Sequence, residues 1–330
     1  MNWQAVLRRS VGQQGWVLGL FVLLGLLLVF TRIIQPDYGA AGFGSLARSA
    51  LPFAFAAAAQ AVVVIAGGVD LSVASMMAVT SVTAAVLMDG ASEEFALVVV
   101  PLVLVLGLLL GAINGALIVI TRVPDIVVTL AMLFVWEGVA LLILASPGGG
   151  AAEWLRALLI GSIAIPLVPA EITAWIPKAL VLLVVCIGIV WIPLTRSRLG
   201  LSIYAIGSDS LAAFRSGVAV GPTKIAAYAV AGLFAAMGGL VLTMSTGIGA
   251  PIPGPYLLAS VAAVVLGGVV LGGGRGGIVG PIVAVFILRL VRSDLTFMSV
   301  DPNVATIVEG TIMVVVVMLG ALVAMRSRST

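Results

Sequence analysis

Residues 95–120 read FALVVVPLVLVLGLLLGAINGALIVI, with no charged side chain from end to end. About 20 apolar residues in a helix cross the hydrocarbon core of a bilayer, and this stretch is longer than that. Inside lipid every backbone amide and carbonyl needs an internal partner, so only helices and closed barrels can span. Barrel strands alternate polar with apolar residues. This stretch does not alternate, and it reads as helix. Val17 to Phe30 and Thr311 to Met325 are uncharged runs of the same kind. Of the 330 residues, 62% are apolar and 9% charged, where a soluble domain carries about 25% charged. The composition predicts an all-α, polytopic membrane protein, one domain over residues 1–330.

The same reading predicts about ten spans, near 15–33, 49–66, 71–88, 96–120, 126–145, 176–195, 223–245, 257–271, 278–292 and 303–325. Arg8 and Arg9 precede the first, which by the positive-inside rule places the N-terminus in the cytoplasm. An even number of spans returns the C-terminus there, where Arg326 and Arg328 follow the last span. Ten Lys and Arg residues then fall inside, Lys224 among them. Six fall outside or at outer span ends, including Arg48, Arg289 and Arg292. Asp294 is placed outside as well. A cleaved secretory signal is the rival reading of the first forty residues, but Phe30-Thr31-Arg32-Ile33-Ile34 offers no small-residue cleavage site. With no histidine and one cysteine, histidine-based catalysis, zinc clusters and disulfide frameworks are excluded. Cys186, inside an apolar run, reads as a buried and inert thiol.

Function in membrane proteins concentrates where the helical pattern breaks. The first break is Gly67-Gly68-Val69-Asp70-Leu71-Ser72-Val73. Its glycines end one helix, and Asp70 stands where a carboxylate can accept from the free amides of the next. Two roles stay open for Asp70: a helix cap alone, or part of a discontinuous helix pair that lines a pathway or its gate with Ser72. The second break, residues 267–277, is a glycine run around Arg275. It lacks the Gly-Lys-Ser/Thr of a phosphate-binding loop, as does the rest of the chain, so its glycines are expected to let helices approach closely.

Polar residues within the spans are few: Gln60, Asn114, Thr129, Glu137 and Glu309. An ionisable group in a span is costly and is a candidate for function. Glu137, near the centre of span five, is expected to face the bundle interior and line the pathway with Thr129. Asn114, beside Gly111 and Gly115, suits close packing with an interhelical hydrogen bond as well as pathway lining. Glu309 is either a pathway group or a structural anchor. The third break is the polar stretch Arg196 to Lys224. Within it Leu211-Ala212-Ala213-Phe214-Arg215-Ser216-Gly217 has the pattern of a stub helix, which either docks into a partner's groove or belongs to a solvated loop.

These breaks carry a resemblance. Gly67-Gly68-Val69-Asp70-Leu71-Ser72-Val73-Ala74-Ser75 resembles the signature of the ribose-type sugar permeases of bacterial ABC importers, in the superfamily that also holds branched-chain amino acid permeases. Arg198-Leu199-Gly200 with Ile203-Tyr204-Ala205-Ile206-Gly207 is similar to the approach to that family's coupling loop. Ala212-Ala213 through Ser216-Gly217 is similar to the loop's Ala-rich helix. Pro124 with Thr129-Leu130, Ala262 to Gly268, and Gly277 to Gly280 match further elements in consistent order, from about residue 50 to 325.

The resemblance implies a permease subunit of the bacterial inner membrane, with no cofactor of its own. It implies a second permease, two ATPase subunits that bind ATP and magnesium, and a periplasmic substrate-binding protein. The ATPases would engage residues 196–224 through Ser210, Leu211, Ala212, Ala213, Phe214, Arg215 and Gly217. Asp70, Ser72, Asn114, Thr129 and Glu137 would line the pathway or its gate, for a sugar or related small polar solute. The chain also departs from the family's pattern. Ala74 stands for a usual Gly, Ser210 for an acidic residue, Glu137 for a common Arg, and Leu257 and Ala259 for acidic residues. The lost polar positions point to pairing with a different permease as a heterodimer. The rival class is an ion-gradient-driven secondary transporter using Glu137 or Glu309. A membrane enzyme lacks any catalytic constellation.

Overall fold

A computed structural model describes residues 3–326 apart from 167 and 253; Arg328 lies outside the described residues. In chain order the helices are α1 (Trp3–Ile34), α2 (Ala40–Ile65), α3 (Val73–Met88), α4 (Ala96–Thr121) and α5 (Asp125–Ile143). Two short helices follow, α6 (Glu153–Ala157) and α7 (Ala170–Thr173), and then α8 (Lys178–Arg196). The remainder is α9 (Arg198–Ser208), α10 (Ser210–Arg215), α11 (Val220–Thr246), α12 (Tyr256–Leu266), α13 (Val279–Phe297) and α14 (Pro302–Arg326). No β-sheet occurs among the described residues.

Among the described residues, six helices are long and apolar enough to cross a membrane: α1, α2, α4, α5, α8 and α11. Apolar α3 and α12 have 16 and 11 residues. At 1.5 Å per residue they reach only about 24 and 17 Å, short of the roughly 30 Å hydrocarbon core. They adjoin the two glycine breaks. With α13 and α14 these occupy the places of the ten predicted spans.

The core is α2. Every residue from Ala50 to Ile65 is buried, as a helix that is apolar all round must be. Its alanines, Ala54 and Ala56 to Ala59 among them, let α8, α11, α12 and α13 pack closely around it. The tightest pair is α4 with α11. Gly107, Gly111 and Gly115 fall at intervals of four on one face of α4. A Cβ at Gly111 would overlap the Tyr228 carbonyl, and one at Gly232 would overlap the Gly107 carbonyl. The two backbones meet where no side chain intervenes.

Three sequence expectations about charge need correction. The second span begins at Ala40, so Arg48 lies inside α2. The ninth runs on to Phe297, which places Arg289, Arg292 and Asp294 within α13. These charges do not end the helix because they find partners: Arg292 pairs with Glu309 of α14, and buried Asp294 accepts a hydrogen bond from Thr31 Oγ1 of α1 at 2.8 Å. Lys224 belongs to α11, where Asp125 neutralises it.

Candidate functional site

Gly67, at φ +85°, turns the chain out of α2, a backbone conformation that glycine adopts without penalty. Asp70 follows, fully buried. Its Oδ1 accepts from the Ser72 amide at 2.8 Å and from Ser72 Oγ at 2.6 Å, so the carboxylate organises the start of α3. Asn114 Nδ2 of α4 donates to Ser72 Oγ at 2.6 Å, and Trp136 Nε1 of α5 donates to Asn114 Oδ1 at 3.1 Å. One polar chain, Asp70–Ser72–Asn114–Trp136, therefore ties the helix break to two neighbouring helices. Asp70 Oδ2 has no partner. Thr129 Oγ1 donates to the Asp125 carbonyl at 2.8 Å and lies 3.3 Å from the Val69 carbonyl.

Beside the break sits a second cluster. Asp125, the first residue of α5, accepts from Lys224 Nζ at 2.6 Å and from Tyr228 OH at 2.8 Å, both on α11. Lys224 and Tyr228 share a face because they are four residues apart. A Cβ at Gly68 would overlap Asp125 Oδ2 and come within 2.7 Å of Tyr228 OH. A side chain at this position would displace the Asp125–Tyr228 pair that closes over the break.

The two glycine breaks meet each other and α9. Gly274 N donates to the Ile65 carbonyl at 2.9 Å, across from the end of α2. Gly207, next to last in α9, lies between them: a Cβ there would overlap the Ile65 carbonyl and come within 2.6 Å of Gly274 N. A Cβ at Gly273 would come within 2.6 Å of the Gly207 carbonyl and 2.8 Å of Gly67 Cα. Tyr204, one turn earlier, donates through its OH to the Gly276 carbonyl at 2.8 Å, and its burial raises the phenol above its usual pKa. The end of α9 thus touches backbone at both breaks.

Beyond the junction the chain turns sharply at Asp209. Its Oδ1 accepts from the amides of Leu211 and Ala212, each at 2.9 Å, and caps α10. Gly217, at φ +85°, closes the far end. Leu211 and Phe214 are 57% and 67% exposed, whereas Ala213 is buried. The helix thus presents two large apolar side chains outward.

A sequence model of the family described as "Branched-chain amino acid transport system / permease component" matches residues 42–317. The chain belongs to this permease family. The ribose import permease protein of Escherichia coli K12 is 30% identical over 327 residues, covering 97% of this chain and 98% of that one. The autoinducer 2 import system permease proteins of Escherichia coli K12 and of Shigella flexneri are each 28% identical over 320 residues, covering 92% of this chain and 91% of theirs. No solved structure matches the chain. The permease is thus related along nearly its whole length to import components.

Asp70, Ser72, Asn114 and Thr129 come together at the first break of this permease. Glu137 does not join them. The packed face of α5 is Thr129, Met132, Trp136 and Ala140, and Glu137, about 100° round the helix from Trp136, is half-buried at its edge. Residues 196–224 hold two helices rather than one stub, and the acidic cap is Asp209, just before Ser210. Asp125, Tyr228 and Trp136 were missed as site residues. The spacing of Lys224 and Tyr228 was a readable signal, but their partner Asp125 lies far off in sequence.

Proposed function

We propose that this permease is one half of the membrane gate of an ATP-driven importer for a sugar or related small polar solute, and that α10 is where a separate ATPase subunit docks. One observation carries the reading: an outward apolar stub is joined through α9 and Gly207 to backbone at both helix breaks. ATP binding closes the ATPases and moves α10. The junction passes that motion to the start of α3 and to the loop before α13, which opens or closes the path beside Asp70. A second permease completes the pathway, two ATPases carry ATP and magnesium, and a periplasmic binding protein selects the solute. The loss of polar positions noted in the sequence favours a heterodimeric partner. Both termini face the cytoplasm, the side on which α10 then lies.

The relatives, permeases for ribose import and autoinducer 2 import, support import of small polar solutes. They lend nothing to the ion-gradient alternative, whose candidate Glu309 is neutralised by Arg292. Reconstitution in proteoliposomes with the ATPase and the binding protein tests the reading. Uptake of the binding protein's ligand is expected to require ATP and to cease when the ATPase is left out. Uptake driven by an ion gradient without the ATPase would refute it.

A further inference from the structure

The hairpin of α13 and α14 brings three charges to one depth. Arg289 and Arg292 lie eight and five residues before the end of α13, and Glu309 seven residues after the start of α14. At 1.5 Å per residue each is roughly 8–12 Å from the connecting turn, well within its helix rather than at its end. Glu309 pairs with Arg292, which cancels one positive charge and leaves the Arg289 guanidinium over. Arg289 stacks on Phe53 at 4.8 Å from the ring centroid, and its buried Nε has no hydrogen-bond partner. Phe53 packs in turn on Tyr256, with ring centroids 4.6 Å apart.

All five side chains line a half-open cavity of about 290 Å³, together with Ala259 and Leu288. That is close to the lower size of small-molecule sites, about 300 Å³. The cavity lies between α2, α12, α13 and α14, at the end of the bundle away from α9 and α10. A net positive charge is expensive at such a place, and stacking on one ring does not satisfy a guanidinium with five donors.

The geometry points to a binding site for an oxyanion group, a carboxylate or a phosphate, held by Arg289 with Tyr256 and Phe53 against the body of the ligand. The group belongs either to a small soluble molecule or to a lipid headgroup. As a site for cargo it deepens the importer reading and makes the solute an acidic one. As a binding site it stands without that reading, because no ATPase is needed to observe it.

The test is thermal unfolding of the purified full-length chain in phosphatidylcholine nanodiscs, with D-gluconate, inorganic phosphate or neutral D-glucose added. Millimolar gluconate or phosphate is expected to raise the unfolding midpoint by several degrees, and glucose to leave it unchanged. Arg289→Gln should lose the shift and Arg289→Lys should keep part of it. Should Arg289→Gln fail to fold, Ala259→Asp, which places a carboxylate in the cavity, should raise the midpoint without ligand and abolish the response. In phosphatidylglycerol nanodiscs, a midpoint already raised and insensitive to the probes assigns the site to a lipid headgroup. A midpoint that still responds there assigns it to a soluble anion. The proposal is overturned if neither anion nor anionic lipid moves the midpoint, if glucose moves it equally, or if the response survives in the folded Arg289→Gln or Ala259→Asp variant.

Discussion

Gly207→Ala places one methyl group at the junction of α9 with both helix breaks. The new Cβ would overlap the Ile65 carbonyl and crowd Gly274 N, so the hydrogen bond between those two groups must open. Replacing Gly by Ala within a helix gains about 1 kcal/mol. Against that, overpacking a filled site costs about 1–3 kcal/mol and the lost hydrogen bond about 1 kcal/mol. The net loss is about 1–3 kcal/mol, enough to lower the unfolding midpoint by several degrees without unfolding the chain. Gly138→Ala in α5, where a Cβ meets nothing within 4 Å, is the matched control and should gain slightly. The assay is thermal unfolding of both variants in nanodiscs, followed by reconstitution with the ATPase and the loaded binding protein. Gly207→Ala is expected to bind the ATPase normally yet lose stimulated ATP hydrolysis and transport. Behaviour equal to Gly138→Ala in both stability and coupling would refute the claim that this junction carries motion.

Other substitutions separate support from pathway. Asp125→Asn should cost about 2 kcal/mol by removing a charge-assisted pair; pairing it with Lys224→Met should recover part of that, and simple addition of the two losses in a double-mutant cycle would argue against the coupling. Asp70→Asn keeps the Oδ1 acceptor for the Ser72 amide and hydroxyl, so unfolding should change by less than about 1 kcal/mol. Transport should nevertheless fall at least tenfold, and unchanged transport would leave Asp70 as a cap alone. Asp209→Ala should fray α10 at a cost of about 1 kcal/mol and weaken ATPase binding; undiminished binding would detach the cap from docking.

Much of this was legible because lipid allows so few structures. The uncharged run of residues 95–120 became α4, and the glycines at 67–68 and 267–277 became the two breaks. Where charge was used as the boundary signal the reading failed. The charge pattern places Arg289 and Arg292 at an outer span end and Asp294 outside, yet each gains a partner or packing contact from another helix and lies within α13. No local pattern announces a partner hundreds of positions away, as Asp294 with Thr31 illustrates. For the same reason the sequence suggested Asp70, Ser72, Asn114 and Thr129 singly, but not that three of them form one hydrogen-bonded chain ending at Trp136.

Docking of the ATPase on α10 is the central claim, and Phe214 exposes it most directly. This side chain is 67% exposed, so Phe214→Asp should scarcely alter folding while removing the largest apolar contact a partner could bury. The measurement is co-purification of the cognate ATPase with the tagged permease in detergent, beside the unfolding midpoint of each permease. The wild-type chain is predicted to retain the ATPase, and Phe214→Asp to lose it with its midpoint within about one degree of wild type, as expected for a surface change of under 0.5 kcal/mol. Equal retention by both proteins would contradict the account.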